Sequence, residues 1–264
     1  MALVASAAAC QPDDATSKKP LTWHIQLSGA IDTNLPAQIF DLDGFNTPAS
    51  TVKALNAKGK ITICYVDLGS IENYRADYGD FAPEALSKQN PEWPDEQWLN
   101  ILRLDVPGPT GKTARQLLQA RLDMCKDKGF HGVDPDMIEV YAASGVTFAP
   151  ASRKITYADQ ITFNRWIADE AHARGMLVGL KGDIEQARDL APYFDFSVNE
   201  ECHYYDECHL LDGFTKADKP VLNIEYAGSD ASFVSGVCPK ADRAGFFTVK
   251  KKMSLNAWTL HCPS

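Results

Sequence analysis

Three short segments of the chain share one arrangement, in which a helical pattern ends on a glycine directly before an apolar run. They are Ala57-Lys58-Gly59, Asp127-Lys128-Gly129 and Ala173-Arg174-Gly175. The basic residue suits the negative end of a helix, and glycine accepts the left-handed backbone that commonly closes one. Because a helix leads into a strand repeatedly, the pattern predicts parallel strands joined by crossover helices.

Apolar runs of strand length recur throughout residues 21–264, with amphipathic stretches between them. The candidate strands are 23–27, 37–42, 60–67, 98–102, 132–136, 177–181, 194–199, 221–226 and 245–250. No Gly-x-Gly-x-x-Gly segment follows the first run, which disfavours a dinucleotide-binding sheet. Eight or nine units predict an α/β fold with one domain over residues 21–264, a single (β/α)8 TIM-type barrel with room for one extra N-terminal strand.

Residues 1–20 do not share this alternation. Small residues lead up to Cys10, which resembles the end of a bacterial lipoprotein signal, where a lipid is attached to the cysteine. Ala7 stands where leucine is usual and no basic region comes before it, so a trimmed signal peptide is the alternative. Residues 11–20 are typical of a flexible tether. We expect an extracytoplasmic protein, either secreted or anchored to the cell surface through Cys10.

The cysteines also indicate an oxidising compartment. Of seven cysteines, six remain if Cys10 is lipidated or removed, and no Cys-x-x-Cys pair is present. Two or three disulfides are therefore expected, with buried free thiols as the alternative. The six are Cys64, Cys125, Cys202, Cys208, Cys238 and Cys262.

The formal net charge of −9 argues against nucleic acid as a partner, because phosphate binding needs a basic surface. An acidic surface serves solubility in most proteins, but it also attracts cationic substrates. No apolar run approaches the length of about 20 residues that a membrane span needs. We expect a monomer without a membrane span.

Acidic residues end almost every candidate strand. In a barrel the carboxyl ends of the strands face the active site, so these side chains should converge there. The segments are Phe40-Asp41-Leu42-Asp43, Val66-Asp67, Val133-Asp134-Pro135-Asp136, Gly182-Asp183, Asn199-Glu200-Glu201 and Ile224-Glu225. Glycoside hydrolysis requires two such carboxyls, one as acid and one as nucleophile or base. Metal binding and simple helix capping are the alternatives.

Several longer segments together resemble glycoside-hydrolase family 114, from about Trp23 to Tyr226. The segments are Trp23-His24-Ile25-Gln26-Leu27-Ser28-Gly29, Phe40-Asp41-Leu42-Asp43, Cys64-Tyr65-Val66-Asp67-Leu68-Gly69-Ser70, Gly129-Phe130-His131-Gly132-Val133-Asp134-Pro135-Asp136, Asn164-Arg165-Trp166, Gly179-Leu180-Lys181, Phe194-Asp195-Phe196-Ser197-Val198-Asn199-Glu200-Glu201-Cys202 and Asn223-Ile224-Glu225-Tyr226. Met137, Asp67 and a longer 144–156 loop depart from the family pattern.

The resemblance implies a barrel-fold endo-α-1,4-polygalactosaminidase. Its substrate would be a cationic or partly acetylated galactosaminoglycan-type polysaccharide. By similarity, Asp136 and Glu200 are the catalytic carboxylates, in the roles of acid and nucleophile or base. A non-catalytic carbohydrate-binding barrel and a polysaccharide deacetylase are the alternatives.

The remaining site candidates are expected to bind substrate or to orient the catalytic groups. They are Asp41, Asp43, Tyr65, Asp134, Lys181, Asn199, Glu201, Glu225 and Tyr226. Lys181 is either a Schiff-base nucleophile or, as we favour, a partner that lowers the pKa of Asp136 or Glu200. Trp23, Trp93 and Trp98 either stack on sugar rings or belong to the core. The histidines lack zinc-binding spacing, so no metal and no cofactor are expected.

Overall fold

The structure of the protein, a computed structural model, describes residues 21–90, 93–148 and 153–263. The strands of these residues form one sheet of nine strands and one of three. In chain order they are β1 (Trp23–Gln26), β2 (Ile39–Asp43), β3 (Ile61–Asp67), β4 (Ser70–Glu72), β5 (Leu86–Gln89), β6 (Glu96–Leu99), β7 (Gly132–Asp136), β8 (Leu177–Lys181), β9 (Phe196–Glu200), β10 (Val221–Glu225), β11 (Phe247–Lys250) and β12 (Leu260–His261). Cys10 and the proposed tether lie outside the described residues.

The helices between the strands differ widely in length. They are α1 (Ala49–Ala57), α2 (Ala114–Lys128), α3 (Tyr157–Ala173), α4 (Ala187–Leu190), α5 (Asp212–Lys216), α6 (Asp230–Ser232) and α7 (Cys238–Ala244). A π-helical stretch, Phe233–Val237, joins α6 to α7, and 3-10 turns occur at Tyr78–Asp80, Pro83–Ala85, Ile184–Gln186 and Cys208–Leu211. None of the helices in the described part of the chain is both long and apolar enough to cross a membrane.

The predicted helix ends are confirmed. Gly59, Gly129 and Gly175, which follow α1, α2 and α3, have φ angles of 72°, 93° and 66°. These angles lie in the left-handed region, where glycine lacks the steric penalty of other residues. At the opposite ends of α2 and α3, the side chains of Thr113 and Thr156 accept hydrogen bonds in capping boxes.

Eight neighbouring strands of the large sheet run parallel, in the order β1-β2-β3-β7-β8-β9-β10-β11, which confirms the barrel-type α/β fold. The ninth strand, β12, pairs antiparallel with β11 at the seam of the barrel, where the last parallel strand, β11, approaches the first, β1. Two side-chain bonds tie the seam to β1. Trp23 Nε1 donates to the Phe247 carbonyl oxygen at 2.7 Å, and Thr259 Oγ1 lies 3.0 Å from His24 Nδ1.

Two details of the predicted barrel are wrong. The additional strand of the large sheet is the C-terminal β12, not an extra N-terminal strand. The run at 98–102 is not a barrel strand, because β6 instead pairs antiparallel with β4 and β5 in the small sheet. An apolar run of this length occurs in a parallel barrel strand and in an antiparallel strand alike, so the pattern of apolar residues does not distinguish the two. The small sheet lies in the connection between β3 and α2 and borders the barrel mouth.

Three disulfides confirm the expected number and exclude free thiols for these six cysteines. Cys64–Cys125 joins β3 to α2, Cys202–Cys208 closes the loop after β9, and Cys238–Cys262 joins α7 to the end of the described chain. The first and third therefore tie helices to the barrel wall, and the second constrains the segment that directly follows Glu200.

The barrel interior changes from apolar to polar along the strands. Side chains two residues apart share a face of a strand. The inward face of the barrel strands is marked by a buried cluster that includes Trp23, Ile39, Ile63, Phe196 and Leu222. A second and larger cluster fills the layer between the strands and the helices. Continuing the inward face toward the strand ends places a ring of polar side chains above the apolar layer. These are Asp41, Tyr65, Asp134, Asp136, Lys181 and Glu200.

Candidate active site

Lys181 lies at the centre of the polar ring. Its Nζ atom donates to Asp136 Oδ1 at 3.0 Å and lies 3.8 Å from Glu200 Oε1. This is the pairing expected for Lys181 from the sequence. Asp136 comes from β7, Lys181 from β8 and Glu200 from β9, so three adjacent strands bring the groups together. One ammonium group therefore contacts both carboxylates that the sequence singled out.

Two tyrosines complete the contacts of the carboxylates. Tyr65 donates its hydroxyl to Asp136 Oδ2 at 2.5 Å, and Tyr226 donates its hydroxyl to Glu200 Oε1 at 2.7 Å. The ring of Tyr65 also lies 5.2 Å below the Lys181 ammonium. Asp136 thus accepts bonds at both oxygens, whereas Glu200 is the more open of the two, with 38% of its side chain exposed against 18% for Asp136.

The charges of this cluster are set by competing effects. Burial disfavours the charged form of Asp136, but the Lys181 charge and the hydrogen bonds from Tyr65 and Met137 outweigh it and lower the pKa of Asp136. Burial likewise opposes the charge on Lys181, yet the charges of Asp136, Glu200 and Asp134 raise its pKa well above the usual value. Lys181 is therefore an ammonium at neutral pH, which disfavours a Schiff-base role because that requires a free amine.

These groups open into a cavity of about 540 Å³ at the carboxyl ends of the strands. Its wall includes Tyr65, Asp136, Lys181, Asn199 and Glu200 from the predicted set. Other lining residues come from the small sheet and the loops; they are Leu27, Ser28, Trp93, Glu96, Trp98, Met137, Glu139, Gly182, Asp183, Ile184, Glu207, Met253, Ser254 and Leu255. Six carboxyl groups thus face a space with one lysine among its lining residues.

The loops that carry the acidic residues leave the strands in an uncommon conformation. Met137, Asp183 and Glu201 have φ angles of 61°, 43° and 56°, which cost free energy in residues with a side chain. Each lies one or two residues beyond Asp136, Lys181 or Glu200. Such outliers are frequent at functional sites, where the surrounding structure holds the backbone in a strained form.

Gly69 fixes the position of the Asp136 backbone. Its amide and that of Leu68 donate to the Asp136 carbonyl oxygen at 3.1 and 3.3 Å. The approach is so close that a Cβ atom on Gly69 would meet the Met137 carbonyl oxygen at 1.7 Å. The glycine is therefore required by the contact between the loops after β3 and β7.

Asp41 and Asp134 do not reach the cavity. Both are fully buried beneath the Lys181 cluster, and none of their carboxylate oxygens accepts a hydrogen bond from a protein N–H or O–H group among the described residues. Burial and the charge of Asp134 raise the pKa of Asp41 well above its usual value. Burial also raises the pKa of Asp134, to about 7, although the Lys181 charge lowers it. Two adjacent carboxyls of this kind are most stable with a proton between them.

The other predicted residues have structural partners. Asp43 accepts from Arg75 Nη2 at 3.0 Å, and Glu225 Oε1 accepts from the His203 amide and from Asn223 Nδ2 at 3.0 and 2.9 Å. Glu225 therefore holds the loop after β9. Glu201 belongs to that loop and does not line the cavity. Trp23 is buried in the core, and Trp98 lines the cavity but is also largely buried. The expected stacking role therefore fits Trp93, which is exposed at the cavity.

Several lining residues were not among the sequence candidates. Glu139 lies three residues beyond Asp136, so the sequence signal for it is an acidic residue in the loop directly after the strand end. Glu207 lies in the loop after β9 that the Cys202–Cys208 disulfide closes. Glu96 lies on β6, far from the barrel strands in sequence, and only the fold brings it to the cavity. Among the described residues, Cys202, His203 and Cys208 form the one group close enough for a metal ion, but both of its sulfur atoms belong to a disulfide.

Comparison with known proteins identifies relatives over nearly the whole chain. The model of glycoside-hydrolase family GH114 matches residues 4–264. The crystal structure of Aspergillus fumigatus Ega3 in complex with galactosamine shares 36% sequence identity, with a TM-score of 0.81 over 92% of this chain and 95% of that one. The glycoside hydrolase domain of PelA from Pseudomonas aeruginosa has the same fold, with 12% identity and a TM-score of 0.66 over 93% and 100% of the two chains. No curated protein sequence shows significant similarity.

The contact at Gly69 leads to a stability prediction. Substituting Gly69→Ala should lower the free energy of unfolding by about 2 kcal/mol or more, because backbone atoms of Met137 must move to admit the methyl group. Gly79→Ala is the matched control, since nothing lies within 4 Å of a Cβ atom there and its φ is not left-handed. Denaturant unfolding of both variants checks this. Equal stability of the two alanine variants would show that the loop contact is not tight.

The buried carboxyl pair predicts a pH dependence of stability. The folded-state pKa values of Asp41 and Asp134 lie above their unfolded values, so the stability they contribute is complete below the unfolded pKa of about 4 and is lost as the pH rises. For Asp134 the loss should extend to about pH 7. Asp41→Asn should flatten this decline, as measured by unfolding free energies between pH 4 and pH 8. A decline as steep as in the wild type contradicts the pairing.

Proposed function

The chain belongs to glycoside-hydrolase family GH114 and is a glycosidase, and we propose that it cleaves α-1,4-linked galactosamine-containing polysaccharide within the chain. One observation carries the proposal. Asp136 and Glu200, on strands two apart, both contact the Lys181 ammonium at the wall of one cavity. Two carboxyl groups facing a common space are the requirement of glycoside hydrolysis.

The substrate class is supported by charge and by similarity. The relative with 36% identity has been crystallised with galactosamine, whose amino group is cationic when it carries a proton. The cavity carries six carboxyl groups, and its lysine is already paired with two of them. A wall of this charge attracts a cationic polymer, and the exposed ring of Trp93 offers a face for a sugar ring.

The environments of the two carboxylates support different roles. Asp136 accepts hydrogen bonds at both oxygens and has a lowered pKa, so it is ionised and suits the nucleophile. Glu200 accepts from Tyr226 and is more open to the cavity, which suits proton exchange with the leaving oxygen and then with water.

The spacing of the two groups favours retention of configuration. Both oxygens contact one nitrogen, at 3.0 and 3.8 Å. Two oxygens at these distances from one nitrogen lie at most about 7 Å from each other, which is near the lower limit of the inverting range. Retaining enzymes have their carboxyls about 5–5.5 Å apart, whereas inverting enzymes need about 6.5–9.5 Å to admit a water molecule. In the proposed first step, Asp136 bonds to the anomeric carbon while Glu200 protonates the departing oxygen. In the second step water replaces Asp136 and returns a proton to Glu200.

The three disulfides support a location outside the cytoplasm, where such bonds persist. We therefore propose that the protein works extracytoplasmically, on polysaccharide at or beyond the cell surface. The lipid anchor at Cys10 and the monomeric state stay predictions.

Defined oligomers of galactosamine and N-acetylgalactosamine, followed by mass analysis, test the function. The wild type should release shorter oligomers by internal cleavage, and Asp136→Asn and Glu200→Gln should each lower the rate at least about a hundredfold. Glu84→Gln, an exposed change of equal charge, is the control and should retain the wild-type rate. Azide should restore turnover of an activated aryl glycoside by Glu200→Ala, and the azide product should keep the configuration of the substrate.

Near-normal hydrolysis by either carboxylate variant would remove that residue from the mechanism. Binding of the oligomers without any cleavage by the wild type would instead favour a non-catalytic carbohydrate-binding barrel. Release of acetate with intact chain length would favour a deacetylase.

A further inference from the structure

We propose that Glu139 and Asp183 form a subsite that binds the ammonium group of an amino sugar next to the catalytic pair. The proposal rests on the glycoside hydrolase function above, and it assigns the selection of cationic over N-acetylated sugar units to two particular side chains. Neither residue belongs to the contacts that hold Asp136 and Glu200 in place.

Both side chains lie on the cavity wall immediately beyond the catalytic strands. Glu139 follows β7 three residues after Asp136, and Asp183 follows β8 two residues after Lys181. Gly182 lies against Glu139, since a Cβ atom there would stand 3.1 Å from Glu139 Oε2. The φ of 57° at Gly182 turns the chain so that Asp183 comes to the same part of the cavity.

Asp183 is oriented by the protein but only half satisfied by it. Asn164, on α3, donates to Asp183 Oδ2 at 2.7 Å and to the Ile138 carbonyl oxygen at 3.0 Å, so it ties the loops after β7 and β8 together. Asp183 is only 5% exposed, and its Oδ1 atom is buried without a hydrogen-bond partner in the described part of the chain. A buried acceptor without a donor is costly, and a ligand N–H group would remove that cost.

Neither carboxyl has a cation of the protein beside it. Across residues 21–90, 93–148 and 153–263, no Lys, Arg or His nitrogen lies within 4.0 Å of Glu139 or Asp183. Several other acidic groups at this end of the barrel do have one. Lys181 serves Asp136 and Glu200, and Arg75 serves Asp43 and Glu72. The missing positive charge at Glu139 and Asp183 is one that an ammonium ligand supplies.

The pKa values of Glu139 and Asp183 fit a site whose carboxyls ionise only when an ammonium group is bound. Burial, followed by the charges of Asp136 and Glu200, raises the pKa of Glu139 to about 8, against the opposing effect of Lys181. Burial and the charges of Glu139 and Glu185 raise the pKa of Asp183 to about 9, although the hydrogen bond from Asn164 opposes this shift. Both carboxyls are thus mainly protonated at pH 7 when the cavity is empty. An arriving ammonium stabilises the carboxylates and displaces protons to the solvent.

An N-acetylated unit cannot replace the ammonium. Its amide is neutral and cannot stabilise the ionised carboxylates, and its acetyl group requires additional space. The subsite therefore discriminates between amine and acetamide by charge. This discrimination does not depend on the positions of Asp136 and Glu200.

Calorimetric titration of the wild type with galactosamine tests the subsite without catalysis. At pH 7, titrations in buffers of different ionisation enthalpy should show proton release on binding of galactosamine and none with N-acetylgalactosamine. In Glu139→Gln and Asp183→Asn the affinity for galactosamine should fall about tenfold or more, and the proton release should diminish. Asparagine tolerates the left-handed backbone at residue 183 and can still accept from Asn164, so this second variant should fold.

Glu84→Gln is the matched control for net charge, and it should bind galactosamine as the wild type does. In hydrolysis, Glu139→Gln should lower kcat/KM for galactosamine oligomers about tenfold relative to N-acetylated ones. If the wild type cleaves the oligomers, and Glu139→Gln leaves the ratio of kcat/KM for galactosamine oligomers to kcat/KM for N-acetylated oligomers unchanged, the subsite is overturned. The proposed function is then still supported. If the wild type cleaves neither oligomer, the proposed function is overturned. The subsite is supported all the same if the wild type releases protons on binding galactosamine and Glu139→Gln abolishes that binding. Binding of calcium ions alone at Glu139, without galactosamine binding, overturns the subsite as well.

Discussion

The buried ammonium of Lys181 is the interaction on which the active-site end of the barrel depends. It lies within 4 Å of Asp136 and Glu200, and its charge also acts on Asp41, Asp134 and Glu139. Removing one partner of a buried ion pair leaves an uncompensated charge that costs several kcal/mol. Without Lys181, the carboxyls would have to take up protons or move apart. The positive charge of Lys181 offsets the repulsion between the buried carboxylates. It also lowers the pKa of Asp136 and so keeps Asp136 ionised for its proposed role as nucleophile.

The rest of the fold holds this cluster in position. Eight parallel strands bring their carboxyl ends to one cavity, and the Cys202–Cys208 disulfide constrains the segment that follows Glu200. The close contact of Gly69 with the Met137 backbone fixes the end of β7. Left-handed backbone at Met137, Asp183 and Glu201 indicates that local strain is concentrated next to Lys181 and the two carboxylates proposed to be catalytic. Stability elsewhere in the barrel compensates for buried carboxyls and strain at one end.

Much of this arrangement could be predicted from residues 21–264. The left-handed caps at Gly59, Gly129 and Gly175 and the acidic strand ends follow from local rules, and the family resemblance narrowed the acidic set to Asp136 and Glu200. Local rules could not separate the run at 98–102 from a barrel strand, because the partner strands that decide its sheet are distant in sequence. They also could not bring Glu96 and Trp98 to the cavity, or distinguish Asp41 and Asp134, buried beneath the site, from acidic residues that line it. Those distinctions depend on three-dimensional packing.

The central claim is that one ammonium holds two catalytic carboxylates close enough for direct attack on the sugar. The configuration of the first product tests it most directly, because only a nucleophilic carboxylate at short range gives two inversions. Proton NMR of the wild-type protein cleaving α-1,4-linked galactosamine oligomers, recorded before the product anomers equilibrate, reads that configuration. The account predicts that new reducing ends appear first as the α anomer. First appearance of the β anomer would mean that water attacks directly, and it would contradict the role given to Asp136.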